Sequence, residues 1–241
     1  MQISIKHDVN QAIKGLSRLQ RQQVPFATSV AINKTAVKVK QRLTRTIPQV
    51  FDRPNRMTRK SVKFPRKYWS TKRKLYAKVV LQDFASKGSA PADYLHAQIH
   101  GGTRSDKRSE RALRYAGILY PDEQTVMSKY AKRNKFGNIT AGQYTRMLSQ
   151  MYASADPMQN KTDSTRSKKS RKQDAFFLRR SGSARGIWRR RGKQIAPFLV
   201  FVKRPRYQRR FQFYKIGNSV IKRNIDQEFA KALRYALNTM R

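Results

Sequence analysis

The first residues to consider for chemistry are two histidines, His96 and His100, which lie four positions apart in the segment HAQIH. On a helix this spacing places both imidazoles on one face, where they would hold a metal ion if a third ligand such as Asp93 joined them. The segment lacks the glutamate that a zinc protease helix requires between its histidines. A structural or surface role is therefore favoured, and we predict no metal site.

Other catalytic patterns are absent from the sequence. The acidic residues are scattered singly apart from Asp122 and Glu123, so no carboxylate cluster for two-metal nuclease chemistry is indicated. The chain has no phosphate-binding GxxxxGK[ST] loop, no GxSxG elbow, no GxGxxG loop and no cysteine. We predict that the protein is not an enzyme and has no cofactor. A metal-dependent nuclease that uses His96 and His100 is the enzymatic alternative.

Positive charge is the dominant chemical property of the chain. It has 55 Lys and Arg against 13 Asp and Glu, a formal net charge of +42 in 241 residues. The cations are spread along the whole length, whereas a targeting signal or a basic tail would concentrate them in one block. Because such a subunit repels itself, we expect its charge to be neutralised by a polyanion or by acidic neighbours in an assembly.

Two cationic clusters are the candidate sites for binding DNA or an acidic partner. The segment Asn160 to Lys172 is polar and basic, and we predict an exposed loop that becomes ordered against a partner. The second cluster lies in the predicted strand GIWRRR. Without cysteines for zinc fingers or a heptad zipper, any contact with DNA is expected to be independent of base sequence. The candidate residues are Lys168, Lys169, Arg171, Lys172, Arg189, Arg190 and Arg191.

The elements that position these cations follow from hydrophobic spacing. QISIK alternates as a strand does, a helix then begins at Asp8, and a second helix runs from Pro25 to Pro48. The segment between Met57 and Asp83 predicts two strands joined by STKRK, with aromatic residues between cations. A hairpin with its aromatics in the core is favoured, and the alternative is a platform that stacks single-stranded nucleic acid.

The second half of the chain predicts further short helices and strands. Ser109 to Tyr115 and Thr140 to Tyr152 are predicted helices, and DAFFLRR, GIWRRR and IAPFLVFVKR are predicted strands. A long final helix is predicted from about Lys215. Its apolar positions recur at i, i+4 and form a stripe that is favoured as core over an oligomer contact: Ile221, Ile225, Phe229, Leu233 and Leu237.

These elements together predict an α+β fold. A mixed or antiparallel sheet is flanked by two N-terminal helices and a long C-terminal helix, with a helical insertion. The predicted domains are a basic α+β body of residues 1–87 and 157–241 and a helical insertion of residues 88–156. No run of 18 apolar residues and no apolar signal region is present, so we expect neither membrane insertion nor export.

Three segments resemble one family of virion proteins. The opening QAIKGLSRLQRQQVPFATSVAINKTAVKVKQRL resembles the start of the minor tail protein Z family of tailed bacteriophages and prophages. The region from YLHAQIHGG to FGNITAGQYTRMLSQMY is similar to the central part of related virion proteins, and the segment from IAPFLVFVKR to AKALRYAL resembles their closing strand and long helix. The opening motif is P-x-A-x-x-x-A-I-N-x-T-A, formed by Pro25, Ala27, Ala31, Ile32, Asn33, Thr35 and Ala36.

The resemblance implies a structural protein of the virion at the tail or head-tail junction, made in the host cytoplasm and without catalytic residues. It implies a homo-oligomeric ring with neck, tail and portal proteins as partners. The charge itself suits sequence-nonspecific contact with genomic DNA or contact with acidic ring neighbours. The function expected is that of a connector, neck or tail-completion protein. The alternative is a nucleic-acid-binding protein that is packaged with the genome or acts on it.

Overall fold

The computed structural model of the chain describes residues 1–6, 18–86, 88–181 and 185–239. These residues contain seven α-helices: α1 (Arg18–Val50), α2 (Arg56–Arg59), α3 (Pro91–His100), α4 (Arg108–Tyr115), α5 (Ala141–Gln150), α6 (Thr165–Gln173) and α7 (Phe213–Asn238). They also contain seven strands: β1 (Gln2–Lys6), β2 (Val62–Lys63), β3 (Tyr76–Leu81), β4 (Glu123–Met127), β5 (Ala175–Arg179), β6 (Gly186–Arg191) and β7 (Gln194–Lys203). The predicted α+β class is confirmed, as is the long C-terminal helix.

The chain forms two compact units. The outer unit comprises Met1–His100 and Arg209–Arg241, and the inner unit comprises Gly101–Gln208. These boundaries differ from the predicted insertion of residues 88–156, because the strands that follow residue 174 share a sheet with β4. The expected single sheet is accordingly two antiparallel sheets, with strand orders β1-β3-β2 and β4-β7-β6-β5.

The outer unit packs its three-stranded sheet against α1 and α7. Side chains alternate along β3, so Ala77, Val79 and Leu81 are buried while the intervening residues are half-exposed. This alternation is expected of an antiparallel strand with one face on a core. The same core takes apolar residues from α1, α3 and the start of α7, including Leu43, Ile99 and Phe213.

Helix α1 is longer than its prolines predict. It begins at Arg18 and ends at Val50, so both Pro25 and Pro48 lie inside it, whereas the sequence placed a helix start at Pro25 and its end at Pro48. An interior proline removes a backbone donor and is costly. Tertiary packing overrides this local preference, since one face of the helix is buried in the core. The helix predicted from Asp8 begins outside the described residues.

The predicted stripe on α7 spirals around the helix. Successive i, i+4 positions drift by about 40° at each step, because four residues turn the helix by about 400°. Ile225 is therefore buried, Phe229 and Leu233 are half-buried, and Leu237 is 41% exposed. Small residues complete the contact with α1 at a cluster of buried alanines: Ala27, Ala31, Ala232 and Ala236.

The inner unit packs α4, α5 and the four-stranded sheet around a second core. Leu113, Met147 and Ile187 are fully buried there. A bulge between β6 and β7 shifts the register at Ile187 and Trp188. Consequently two consecutive residues of β7, Phe198 and Leu199, are both buried in this core.

Two local predictions in the inner unit were wrong. EQTVM forms strand β4 inside the region expected to be helical, because it pairs with the apolar strand β7. Residues 165–173, expected to be a loop, form α6. No helix in the described parts of the chain combines the length and the apolar character that a membrane crossing demands.

Candidate polyanion-binding surface

Helix α6 holds three predicted lysines in solvent. The helix follows Ser164, whose Oγ accepts a hydrogen bond from the backbone N–H of Ser167 at 3.3 Å, and this cap lets a polar sequence become helical. Lys168, Lys169 and Lys172 are exposed on the helix. Cations near the C-terminal end also interact favourably with the helix dipole. The cluster is thus a preformed row of ammonium groups.

Arg171, on the same helix, binds within the chain. Its Nη1 donates to the carbonyl of Thr162 and to Oγ of Ser167, both at 2.8 Å. Its Nη2 lies 3.8 Å from the carboxylate of Asp163. These bonds tie the segment before α6 to the helix, so Arg171 stabilises the local fold and leaves fewer N–H groups for a partner.

The three consecutive arginines of β6 have different surroundings because side chains alternate along a strand. Arg189 lies opposite Phe176 on the core face, and its Nε and Nη2 donate to the carboxylate of Asp174 at 2.5 and 2.9 Å. Arg190 projects from the other face, 5.9 Å from the ring centroid of Phe177. Arg191 ends the strand and is exposed. The three arginines of one sequence cluster therefore have three different environments.

Asp174 is the acidic centre of this region. Arg146 on α5 also donates to its Oδ2, at 2.8 Å, so two guanidinium groups share one buried carboxylate. Burial raises the pKa of Asp174, but the hydrogen bonds and charges of Arg189 and Arg146 outweigh burial and hold the pKa below its ordinary value. Arg189 is consequently part of the internal structure.

Two adjoining grooves concentrate further cations around α5. The first has a volume of about 570 Å³ and the second about 940 Å³, and Gly142 and Arg146 line both. Among their described lining residues Asp174 is the one carboxylate, and it is already bound by two arginines. The cations that line the grooves are Lys132, Arg133, Arg146, Arg189 and Arg191 in the first and Arg146, Lys161, Arg166 and Arg171 in the second.

Such grooves are suited to oxyanions. Guanidinium groups offer paired N–H donors that match phosphate and carboxylate oxygens, and lysines add mobile point charges. Sequence reasoning missed Lys132, Arg133, Arg146, Lys161 and Arg166. The available signal was their position within the predicted helix Thr140 to Tyr152, for Arg146, or on either side of it, for the other four, although only the fold shows that they face common grooves.

Sequence reasoning also missed the internal role of the carboxylates. Glu110 is fully buried and accepts from Arg104 at 2.7 and 2.5 Å and from the backbone N–H of Thr125 at 2.8 Å. The backbone N–H of Lys107, at the start of α4, also donates to Glu110 at 2.8 Å. Burial raises the pKa of Glu110, but these donors and the Arg104 charge outweigh it and lower the pKa to about 2. The signal was a glutamate in the first turn of a predicted helix.

Two further carboxylates of the inner unit are bound in the same manner. Asp106 pairs with Arg114 and lies 3.3 Å from Arg204, and Glu123 pairs with Arg185. Each of these carboxylates is largely buried. The four buried or largely buried carboxylates of this unit, Asp106, Glu110, Glu123 and Asp174, therefore neutralise arginines of the same unit and leave other cations at the surface.

The histidine pair lies on one face of α3. The ring centroids of His96 and His100 are 4.7 Å apart. Desolvation, followed by the charges of His96 and Arg209, lowers the pKa of His100. Within the described residues, no three His, Cys, Asp or Glu side chains come together as a metal site would require, and this includes the pair with Asp93.

The aromatic residues of the basic hairpin divide between the core and the surface. Phe64 packs against the core of the outer unit, as predicted. Trp69 is exposed and stacks on Phe64 with Arg66 over its ring at 5.9 Å, so the prediction of a core position was wrong for Trp69. Tyr76 has Lys74 and Lys78 over its ring at 4.5 and 5.8 Å. Cation–π contacts stabilise this basic surface.

The fold and this surface define a basic α+β protein whose cations are presented by preformed elements. The family model of prophage minor tail protein Z matches residues 7–241, nearly the whole chain. The chain therefore belongs to the prophage minor tail protein Z family, and it is a structural tail protein of the bacteriophage virion. Neither the curated proteins nor the solved structures contain a significant match to it.

Proposed function

We propose that this tail protein is a non-enzymatic connector, neck or tail-completion protein that forms a ring at the head-tail junction. Its partners there are further copies of itself and other neck, tail and portal proteins. The ring is proposed because copies around an axis multiply each basic patch without requiring a base-specific contact. Membership of the tail protein family supports a place in the particle.

The observation that carries the proposal is the way in which charge is distributed. With 55 cations and 13 carboxylates, 42 cations would remain even if every carboxylate neutralised one. In the inner unit, buried carboxylates such as Glu110 and Asp174 are bound by arginines of the same unit. The exposed lysines of α6 and the groove cations that bind no carboxylate among the described residues, namely Lys132, Arg166 and Arg191 among others, therefore need neutralisation from outside.

We assign these cations to genomic DNA. The DNA backbone presents closely spaced phosphates, and the grooves offer guanidinium and ammonium groups that can bind phosphates. Lys168, Lys169, Lys172 and Arg191 are exposed and available for phosphate contacts. Contacts of this kind position a protein on DNA without reading its sequence. Before docking, self-repulsion is expected to keep the subunit monomeric.

A reconstruction of the particle tests this proposal. We expect density for the chain in a closed ring at the portal end of the tail, with α6 and the two grooves towards the DNA. Fractionation of virions should recover the protein with tail components in a stoichiometry that matches the ring. Recovery with the packaged genome inside the capsid would favour the nucleic-acid-binding alternative, and a position at the distal tail tip would contradict the proposal.

A further inference from the structure

The four-stranded sheet of the inner unit has an apolar face opposite its core. Register and alternation place one set of side chains on the core and the other on the outer face. None of the outer set belongs to the described apolar core clusters. We call this set the open face; its apolar residues are Val126, Phe177, Trp188, Ile195, Pro197 and Val200.

The open face is accessible to a partner. Val126 on β4 is 47% exposed and Ile195 on β7 is 50% exposed, and Val200 on β7, Trp188 on β6 and Phe177 on β5 are half-buried. Antiparallel sheets with one solvated face usually alternate apolar and polar residues. Isolated exposed apolar residues are common, but a row that crosses all four strands marks an interaction surface.

Two arginines give the open face a distinct chemistry. The Arg179 guanidinium carbon lies 4.8 Å from the ring centroid of Trp188, and Arg190 lies 5.9 Å from that of Phe177. A guanidinium stacked on an aromatic ring can still donate from its edge to a carboxylate. Along the paired strands no acidic residue occupies an outward position of this face. The face therefore combines an apolar centre with a positive rim.

We propose that the open face docks another virion protein through a segment whose apolar side chains are flanked by Asp or Glu. Protein interfaces have apolar centres with aromatic and arginine residues, as this face does. Duplex DNA would neutralise the arginines but would leave Val126 and Ile195 without apolar partners. A symmetric contact with a second copy would bring the arginine-rich rims together, which like charges disfavour.

The inference rests on membership of the tail and does not require the ring or the DNA contact. It uses residues of the open face, whereas DNA binding is assigned to α6 and the grooves. A failure of DNA binding therefore leaves the docking proposal intact, and a failure of docking leaves the DNA proposal intact.

Site-specific photo-crosslinking in assembled tails tests the docking proposal. A photoreactive phenylalanine analogue is placed at Val126 or Ile195 in the full chain, and purified tails are irradiated. The control position is Tyr115, which is 97% exposed and outside the open face. We expect both test positions, and not the control, to form an adduct with a different virion protein whose crosslinked peptide contains apolar residues beside Asp or Glu.

The remaining outcomes overturn the proposal. An adduct with a second copy of the chain, with DNA, or with a peptide that lacks carboxylates contradicts the assigned partner. If neither test position forms an adduct, the fluorescence of Trp188 is measured as well. The chain has two tryptophans, so Trp69→Phe leaves Trp188 as the sole tryptophan. If acrylamide then quenches Trp188 equally in free protein and in tails, the open face is uncovered in the particle.

Charge reversal provides a second measurement. Arg179→Glu with Arg190→Glu should reduce incorporation into tails by about tenfold or more, because like charges would meet across the interface. The matched control reverses two exposed cations of α7, Lys222→Glu with Arg223→Glu, and should leave incorporation unchanged. Circular dichroism of both free proteins reports whether each variant is folded. Equal incorporation of the two folded variants would overturn the proposal.

Discussion

The two compact units are stabilised by different chemistry. The outer unit relies on apolar packing, in which α1 and α7 approach each other through buried alanines and carry an ion pair between Lys38 and Glu228 at 2.8 Å. The inner unit has its own apolar core but adds buried carboxylates that are bound by arginines, with Glu110 and Asp174 as the clearest cases.

This difference shows how a chain with so few acidic residues can fold. A buried carboxylate is stabilised only when donors surround it, and the inner unit provides arginines for this purpose. Those arginines are consequently unavailable to a partner, although the sequence does not distinguish them from exposed ones. We therefore expect a partner to bind the cations that have no such carboxylate, as on α6.

The largest effect is expected from Glu110→Gln in the inner unit. This change leaves the Arg104 guanidinium, whose side chain is 13% exposed, without its buried countercharge. Removing one partner of a buried pair costs about 3 to 5 kcal/mol. Chemical denaturation measures the loss in free energy of unfolding. Asp122→Asn, an equal charge change at an exposed position of the same unit, is the control and should cost less than about 0.5 kcal/mol.

A smaller loss is expected from truncation of the α7 stripe in the outer unit. Ile225→Ala should destabilise the protein by roughly 2 to 4 kcal/mol because the side chain is buried. Phe229→Ala and Leu233→Ala should fall near the lower end of that range, since both side chains are half-buried. Leu237→Ala serves as the control within the stripe. Equal melting temperatures for the Ile225 and Leu237 variants would show that the stripe does not pack as described.

Acid should destabilise the inner unit before it destabilises the outer unit. The pKa of Glu110 is lowered from 4.5 to about 2, and a lowered carboxyl pKa gives stability that is complete above the unfolded value. That stability is lost as pH falls from about 4.5 towards 2. Hydrogen exchange should therefore show earlier loss of protection around α4 and β4 than along α1. In Glu110→Gln this pH dependence should be weaker, and an unchanged dependence would contradict the assignment.

The sequence predicted the elements with strong periodicity and missed those decided by contacts. Alternation located β3, and the continuous apolar run located β7, because both patterns reflect burial directly. The polar composition of residues 165–173 concealed α6, whose start depends on the Ser164 cap. EQTVM was missed because its pairing with β7 is long-range. The prediction assumed that buried residues recur exactly at i, i+4, and it therefore extended the buried face of α7 to Leu237, which is exposed.

The sequence predicted that the candidate site is cationic, but it did not predict which group each cation contacts. Arg189, Arg190 and Arg191 are equivalent in the sequence, yet strand alternation sends them to Asp174, to the open face and to a groove. The β5–β6 hairpin brings Asp174 near Arg189, but the register of this hairpin could not be deduced from the sequences of the two strands alone. The predicted binding role of the seven cations stays a prediction, and the structure proposes which of them to test first.

The salt dependence of DNA binding tests the central claim most directly. The triple variant Lys168→Ala, Lys169→Ala and Lys172→Ala is compared with a control of equal net charge, Lys215→Ala, Lys222→Ala and Arg223→Ala on α7, whose three residues are also exposed. Each lost phosphate contact flattens the slope of log K against log salt by about 0.9 on duplex DNA, so the first variant should lose nearly 3. The control should retain the original slope, and neither variant should gain a sequence preference. Equal slopes for both variants would contradict the assignment of α6 to DNA.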